Sequence, residues 1–152
     1  MTAMNKRCAA RRYFLTVSYV LMIVAAAKCI TAFGSAKMLD AYDPLFLIRN
    51  RLLYLLVGIV EFGIAGLCLS CVNEKSKAWL VLWLALSFVA YRFFLIMGGA
   101  VILTCPCLGS ITDWLPVSKA ILETGLWGII VLMLSGSLWI LASKASVASG
   151  AS

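Results

Sequence analysis

Cys105 and Cys107 stand one residue apart in Cys105-Pro106-Cys107-Leu108-Gly109, where the third of four long apolar segments ends. Two thiols at that spacing suit redox chemistry: a thiolate attacks a disulfide sulfur, and a neighbouring thiol resolves the mixed disulfide. Pro106 restricts the backbone between them, and Gly109 relieves crowding after it. Three readings are open: a redox-active disulfide, formed within the pair or with a partner protein; a fixed structural link, with Cys29 the other cysteine near that depth; or two inert thiols. Copper(I) suits soft thiolates, but no Met or His cluster surrounds the loop, and no metal site is expected.

The chain contains no histidine, which excludes histidine-held haem, histidine–zinc sites and histidine-based triads. Cysteine is then the obvious reactive residue. Cys8 precedes the first apolar segment, and Cys68-Leu69-Ser70-Cys71 forms a C-x-x-C at the far end of the second, where cysteine also serves as a small packing residue. The two cysteine pairs are expected at opposite ends of the bundle, roughly 25 Å or more apart by helix rise, so relay between them needs a carrier such as a quinone.

Four ionisable residues fall inside apolar segments, where each is a functional candidate by default: Lys28, Glu61, Arg92 and Glu123. Counting from the segment ends places Glu61 and Arg92 near mid-membrane as one expected pair, and Lys28 and Glu123 nearer the surface as another. Such pairs fix helix registry, or they give Glu61 or Glu123 the role of proton carrier beside thiol–disulfide chemistry, which moves protons with electrons.

The elements that must position these residues are transmembrane helices. The 152-residue chain is 64% hydrophobic and 12% charged, with a mean hydropathy of +1.05, whereas soluble domains are about 25% charged. Apolar runs of about 20 residues, the length that crosses a bilayer, occupy 13–33, 52–72, 79–103 and 120–142. They predict an all-α, four-helix membrane domain over 13–142, with an N-terminal segment 1–12 and a tail 143–152; long continuous runs exclude a β-barrel. Lys6, Arg7, Arg11, Arg12, Lys75, Lys77 and Lys144 outnumber Lys37, Arg49, Arg51 and Lys119 across the membrane, so both termini are expected in the cytoplasm and the Cys-Pro-Cys pair on the oxidising side. The net charge of +7 is thus topological, and nucleic acid is not expected as a partner.

The short turn at 73–77 predicts antiparallel, neighbouring second and third helices. Trp79, Trp83, Trp114, Trp139, Tyr13 and Tyr54 lie near segment ends, as headgroup anchors do. Gly58, Glu61, Ala65 and Cys68 share one stripe of the second helix, which is expected to approach another helix closely.

Three motifs resemble the DoxX-like superfamily and, within it, the MauE group of redox-associated membrane proteins. Gly34-x-x-Lys37-x-x-Asp40 resembles the exit motif after helix one, Gly58-x-x-Glu61 with Ala65-Gly66 the G-x-x-E helix, and Cys105-x-Cys107-x-Gly109 the C-x-C-x-G after helix three. Pro106 and Leu108 depart from the family's usual residues. The resemblance implies a four-helix protein of the bacterial inner membrane that assists disulfide formation or maturation of exported enzymes, as in methylamine utilisation, beside a thioredoxin-like periplasmic partner. Carried over by position, Cys105 and Cys107 would be its redox pair and Glu61 an intramembrane polar residue of the motif, while depth and charge add Lys28, Cys29, Arg92 and Glu123 as candidate support. The alternatives are a non-catalytic subunit or assembly factor of a membrane oxidoreductase complex, and a quinone-linked disulfide-generating enzyme. No cofactor is expected beyond a quinone in that last case.

Overall fold

The computed structural model describes residues 3–34, 39–43, 45–98 and 119–149, and their side chains except at 3–7, 119–123 and 144–149. Cys105, Cys107, Gly109 and Trp114 lie outside the described residues, so no expectation about the Cys-Pro-Cys loop is tested. Among the described residues there are four helices: α1 (Ala3–Ala32), α2 (Asn50–Leu69), α3 (Glu74–Met97) and α4 (Lys119–Ser149). Within them, Cys8–Ala32, Asn50–Leu69, Glu74–Met97 and Thr124–Ser143 are each long and apolar enough to cross a membrane, so by helix composition this is an all-α, multi-pass membrane protein. α1 and α4 run beyond the apolar runs into 3–12 and 143–149, which contain neither proline nor, before Ser149, glycine to stop them.

Local chemistry sets the helix ends. α1 closes in a tightened turn, with Phe33 N–H donating to Ile30 O (3.2 Å) and Gly34 N–H to Thr31 O (2.9 Å). Asn73 caps α3, its side chain accepting from Lys75 N–H at 3.2 Å, and Glu74 lies in the first turn, where a negative charge suits the helix dipole. Gly98 ends α3, donating to Phe94 O at 2.9 Å.

Helix packing follows the small residues. On α2 the buried residues are Gly58, Glu61, Ala65 and Cys68, the stripe visible in the sequence, and it faces α1. A Cβ on Gly58 would lie 3.0 Å from Cys29 Sγ and 3.4 Å from Ala25 O, so glycine sets how closely the two helices approach. The main packing pairs are α1 with α2 and α3 with α4; Lys77 joins α3 to the end of α2 at their turn, and an apolar groove lies between the two helices further along. The expectation that α2 and α3 are packed neighbours therefore holds only at the turn.

The two pairs meet around Phe14, Val17, Leu21, Val81, Ala85, Met133 and Ile140. Tyr13 crosses the seam, its hydroxyl donating to Met133 O (2.8 Å) and sharing a hydrogen bond with Ser137 Oγ (3.0 Å). A Cβ on Gly136 would fall 2.0 Å from the Tyr13 ring, so glycine makes room for the crossing. Tyr13 is thus an interhelical link rather than a headgroup anchor, while Trp79, Trp83 and Trp139 do face outward.

Residues 39–43 and 45–49 lie between α1 and α2, with an antiparallel bridge between Tyr42 and Arg49. Asp43 organises this loop from a buried position: Oδ1 accepts from the Leu45 and Phe46 N–H groups (2.9 and 3.0 Å), and Oδ2 accepts from the Tyr91 hydroxyl of α3 at 2.6 Å. The Phe46 and Tyr91 rings stack at 6.1 Å. The loop is therefore tied to α3 as well as to the two helices it joins.

Candidate functional site

Lys28 of α1 and Glu61 of α2 form an ion pair in the bundle interior, Nζ donating to Oε1, with side chains 3% and 0% exposed. Lys28 and Glu61, expected in separate pairs with Glu123 and Arg92, thus meet each other. Depth counted from helix ends misleads because the ends are not level: Gly58, eight residues into α2, packs against Cys29, only three residues from the end of α1. Lys28 and Glu61 are consequently at one level. Glu123 lies within α4, and its side chain is outside the described residues.

The third of these charges is nearby. Arg92 of α3 lines the same small cavity as Lys28 and Glu61, and its guanidinium lies over the Trp127 ring of α4 at 5.2 Å. Lys28 Nζ is 5.0 Å from the Phe88 ring centre. Each of the four helices thus contributes a group to one polar seam surrounded by apolar side chains. In such surroundings a buried ion pair needs close geometry to offset its desolvation, and removing one partner strands the other.

On the other side of Lys28 and Phe88, an apolar groove of about 300 Å³ lies between α2 and α3, lined also by Phe46, Tyr54, Val57 and Tyr91. Its size is at the lower end for small-molecule pockets. Tyr54 belongs to this groove rather than serving only as an anchor near a helix end.

Among the other expected site residues, Cys29 is half-buried against Gly58, one residue from Lys28, and is a free thiol. Cys68 is buried in the core and Cys71 is exposed beyond the end of α2, both free. Cys8 is exposed. In the exit motif, Gly34 O accepts from Arg51 Nη2 at 3.2 Å, Asp40 lies 3.9 Å from the same guanidinium, and Lys37 is outside the described residues.

Sequence reasoning missed Asp43, Tyr91 and the inward fold of Lys77. Lys77 Nζ donates to Cys68 O and Ser70 O (2.8 and 2.5 Å), capping the carbonyl end of α2. In the sequence Gly34, Asp40, Asp43 and Pro44 do mark the connection after the first helix, but nothing local predicts that Asp43 is buried and bonded to Tyr91. Among the described residues no group of three or more Cys, Asp or Glu is arranged to hold a metal ion. Comparison with known protein families, curated proteins and solved structures found no match to this chain, so the likeness to DoxX-like proteins rests on its three motifs alone.

Proposed function

We propose that the protein is a bacterial inner-membrane, redox-associated protein of the MauE/DoxX-like kind that supports thiol–disulfide exchange through Cys105 and Cys107 on the external side. The observation that carries this reading is the Cys-Pro-Cys-Leu-Gly sequence after α3, in a chain whose other motif positions Gly58, Glu61 and Ala65 are the buried face of α2. One thiolate of the pair attacks the disulfide of a thioredoxin-like partner, and a mixed disulfide forms. The second thiol displaces the partner, leaving a Cys105–Cys107 disulfide and a partner dithiol that carries the two electrons and two protons. The reverse reaction oxidises the partner, or an exported client enzyme, and the relative potentials set the direction.

The test is whole-cell labelling with a membrane-impermeant maleimide, in a variant with the other four cysteines replaced by serine. Labelling of Cys105 and Cys107 only after reduction is expected; labelling without reductant overturns a resting disulfide. Full function in a Cys105→Ser, Cys107→Ser variant would instead favour a non-catalytic assembly subunit. The 300 Å³ groove favours one second reading, a quinone-linked disulfide-generating enzyme. That reading requires the purified protein to reduce a quinone at the expense of a dithiol.

A further inference from the structure

The cavity at the polar seam is small and its lining is specific. Its volume is about 30 Å³, and Lys28, Glu61, Phe88, Arg92, Leu126 and Ile130 are among the residues around it. One water needs about 10–15 Å³ of such space, so one or two waters fit and little else does. Glu61 is 0% exposed, Oε1 is taken by Lys28, and Oε2 is buried with no hydrogen-bond partner among the described residues.

The chemistry of that oxygen selects the occupant. A carboxylate oxygen only accepts hydrogen bonds, so the occupant must donate; this excludes a halide and an apolar group. A metal cation would share the space with the ammonium of Lys28 and the guanidinium of Arg92, which repel it. Water satisfies both demands, with a hydrogen toward Oε2 and its lone pairs toward the two cationic groups, which are donors only. We propose that an ordered water occupies this cavity, donates to Glu61 Oε2, and joins the Lys28–Glu61 pair of α1 and α2 to Arg92 of α3. The seam is then a chain of polar groups, Lys28, Glu61, water and Arg92, linking the two helix pairs at a level where apolar packing alone would leave a gap.

Val24 also lines the cavity, and Val24→Ile adds one methylene there. In the native background the methylene displaces the water, and Tm in detergent is expected to fall by several degrees. In a Lys28→Met, Glu61→Met background the water has no carboxylate to serve, and the same substitution is expected to leave Tm unchanged or raise it. Equal shifts in both backgrounds would mean simple overpacking and overturn the proposal. The direct readout on the unmodified protein is an experimental density map that shows ordered water: a peak within hydrogen-bond distance of Glu61 Oε2 supports the site, and an empty cavity, or a side chain against Oε2, overturns it. The density decides alone if the double-methionine variant does not fold.

Discussion

Lys28 and Lys77 are both buried, 3% and 8% exposed, yet one meets a carboxylate from another helix and the other meets the carbonyl end of α2. Lys77 lies in the first turn of α3, so its ammonium reaches Cys68 O and Ser70 O almost by local geometry, with Phe14 beneath it at 5.7 Å. Its partners are partial charges at the negative end of a helix dipole, close to where the chain leaves the bundle. Lys28 lies amid apolar side chains and needs a full opposite charge. That charge arrives only because Gly58 lets α2 close on Cys29 and brings Glu61 to the same level. A buried lysine near a helix terminus can thus be a local cap, whereas one well inside a helix pair reports on tertiary fit.

The largest effect expected is at the deep pair. Glu61→Met strands the Lys28 ammonium and should cost about 3–5 kcal/mol in an unfolding titration in mixed micelles. The Lys28→Met, Glu61→Met double variant should recover most or all of that loss, because a buried pair replaced by apolar groups of similar volume is often neutral or better. A double variant as unstable as the single one would show that packing, rather than charge, governs the site, and the contrast with Lys77 would collapse.

Next in size is the close approach that makes the pair. Gly58→Ala places a methyl 3.0 Å from Cys29 Sγ and 3.7 Å from Lys28 Cβ, an overpacking expected to cost about 1–3 kcal/mol. Adding Cys29→Ala should return part of it in the same titration, since the sulfur is the nearest obstacle. No return would locate the constraint in the Ala25 carbonyl, 3.4 Å away, and so in the backbones themselves.

The smallest effect belongs to the cap. Lys77→Met should cost about 1 kcal/mol, with partial rescue by Lys77→Arg, because the released carbonyls lie where α2 ends and other donors can reach them. A loss as large as that of Glu61→Met would place Lys77 in the same class as Lys28.

By itself the sequence determined the four apolar helices and the buried stripe of α2; it also showed a short connection before α3, but set it at 73–77, where Glu74–Lys77 are already helical. Long apolar runs admit only helices in a bilayer, and Gly58, Glu61, Ala65 and Cys68 share a face by helical period whatever they pack against. It also singled out Lys28, Glu61 and Arg92, since charges within such runs are rare enough to stand out. Only the tertiary structure decided which of them pair, because that depends on the relative heights of helices whose ends are not level. The partition into α1–α2 and α3–α4 pairs, the inward turn of Lys77, the bond from Tyr91 to Asp43 and the crossing of Tyr13 over Gly136 were likewise beyond local reading. Each joins residues whose separation along the chain says nothing about their distance in space, which is set by how closely small residues let two helices approach.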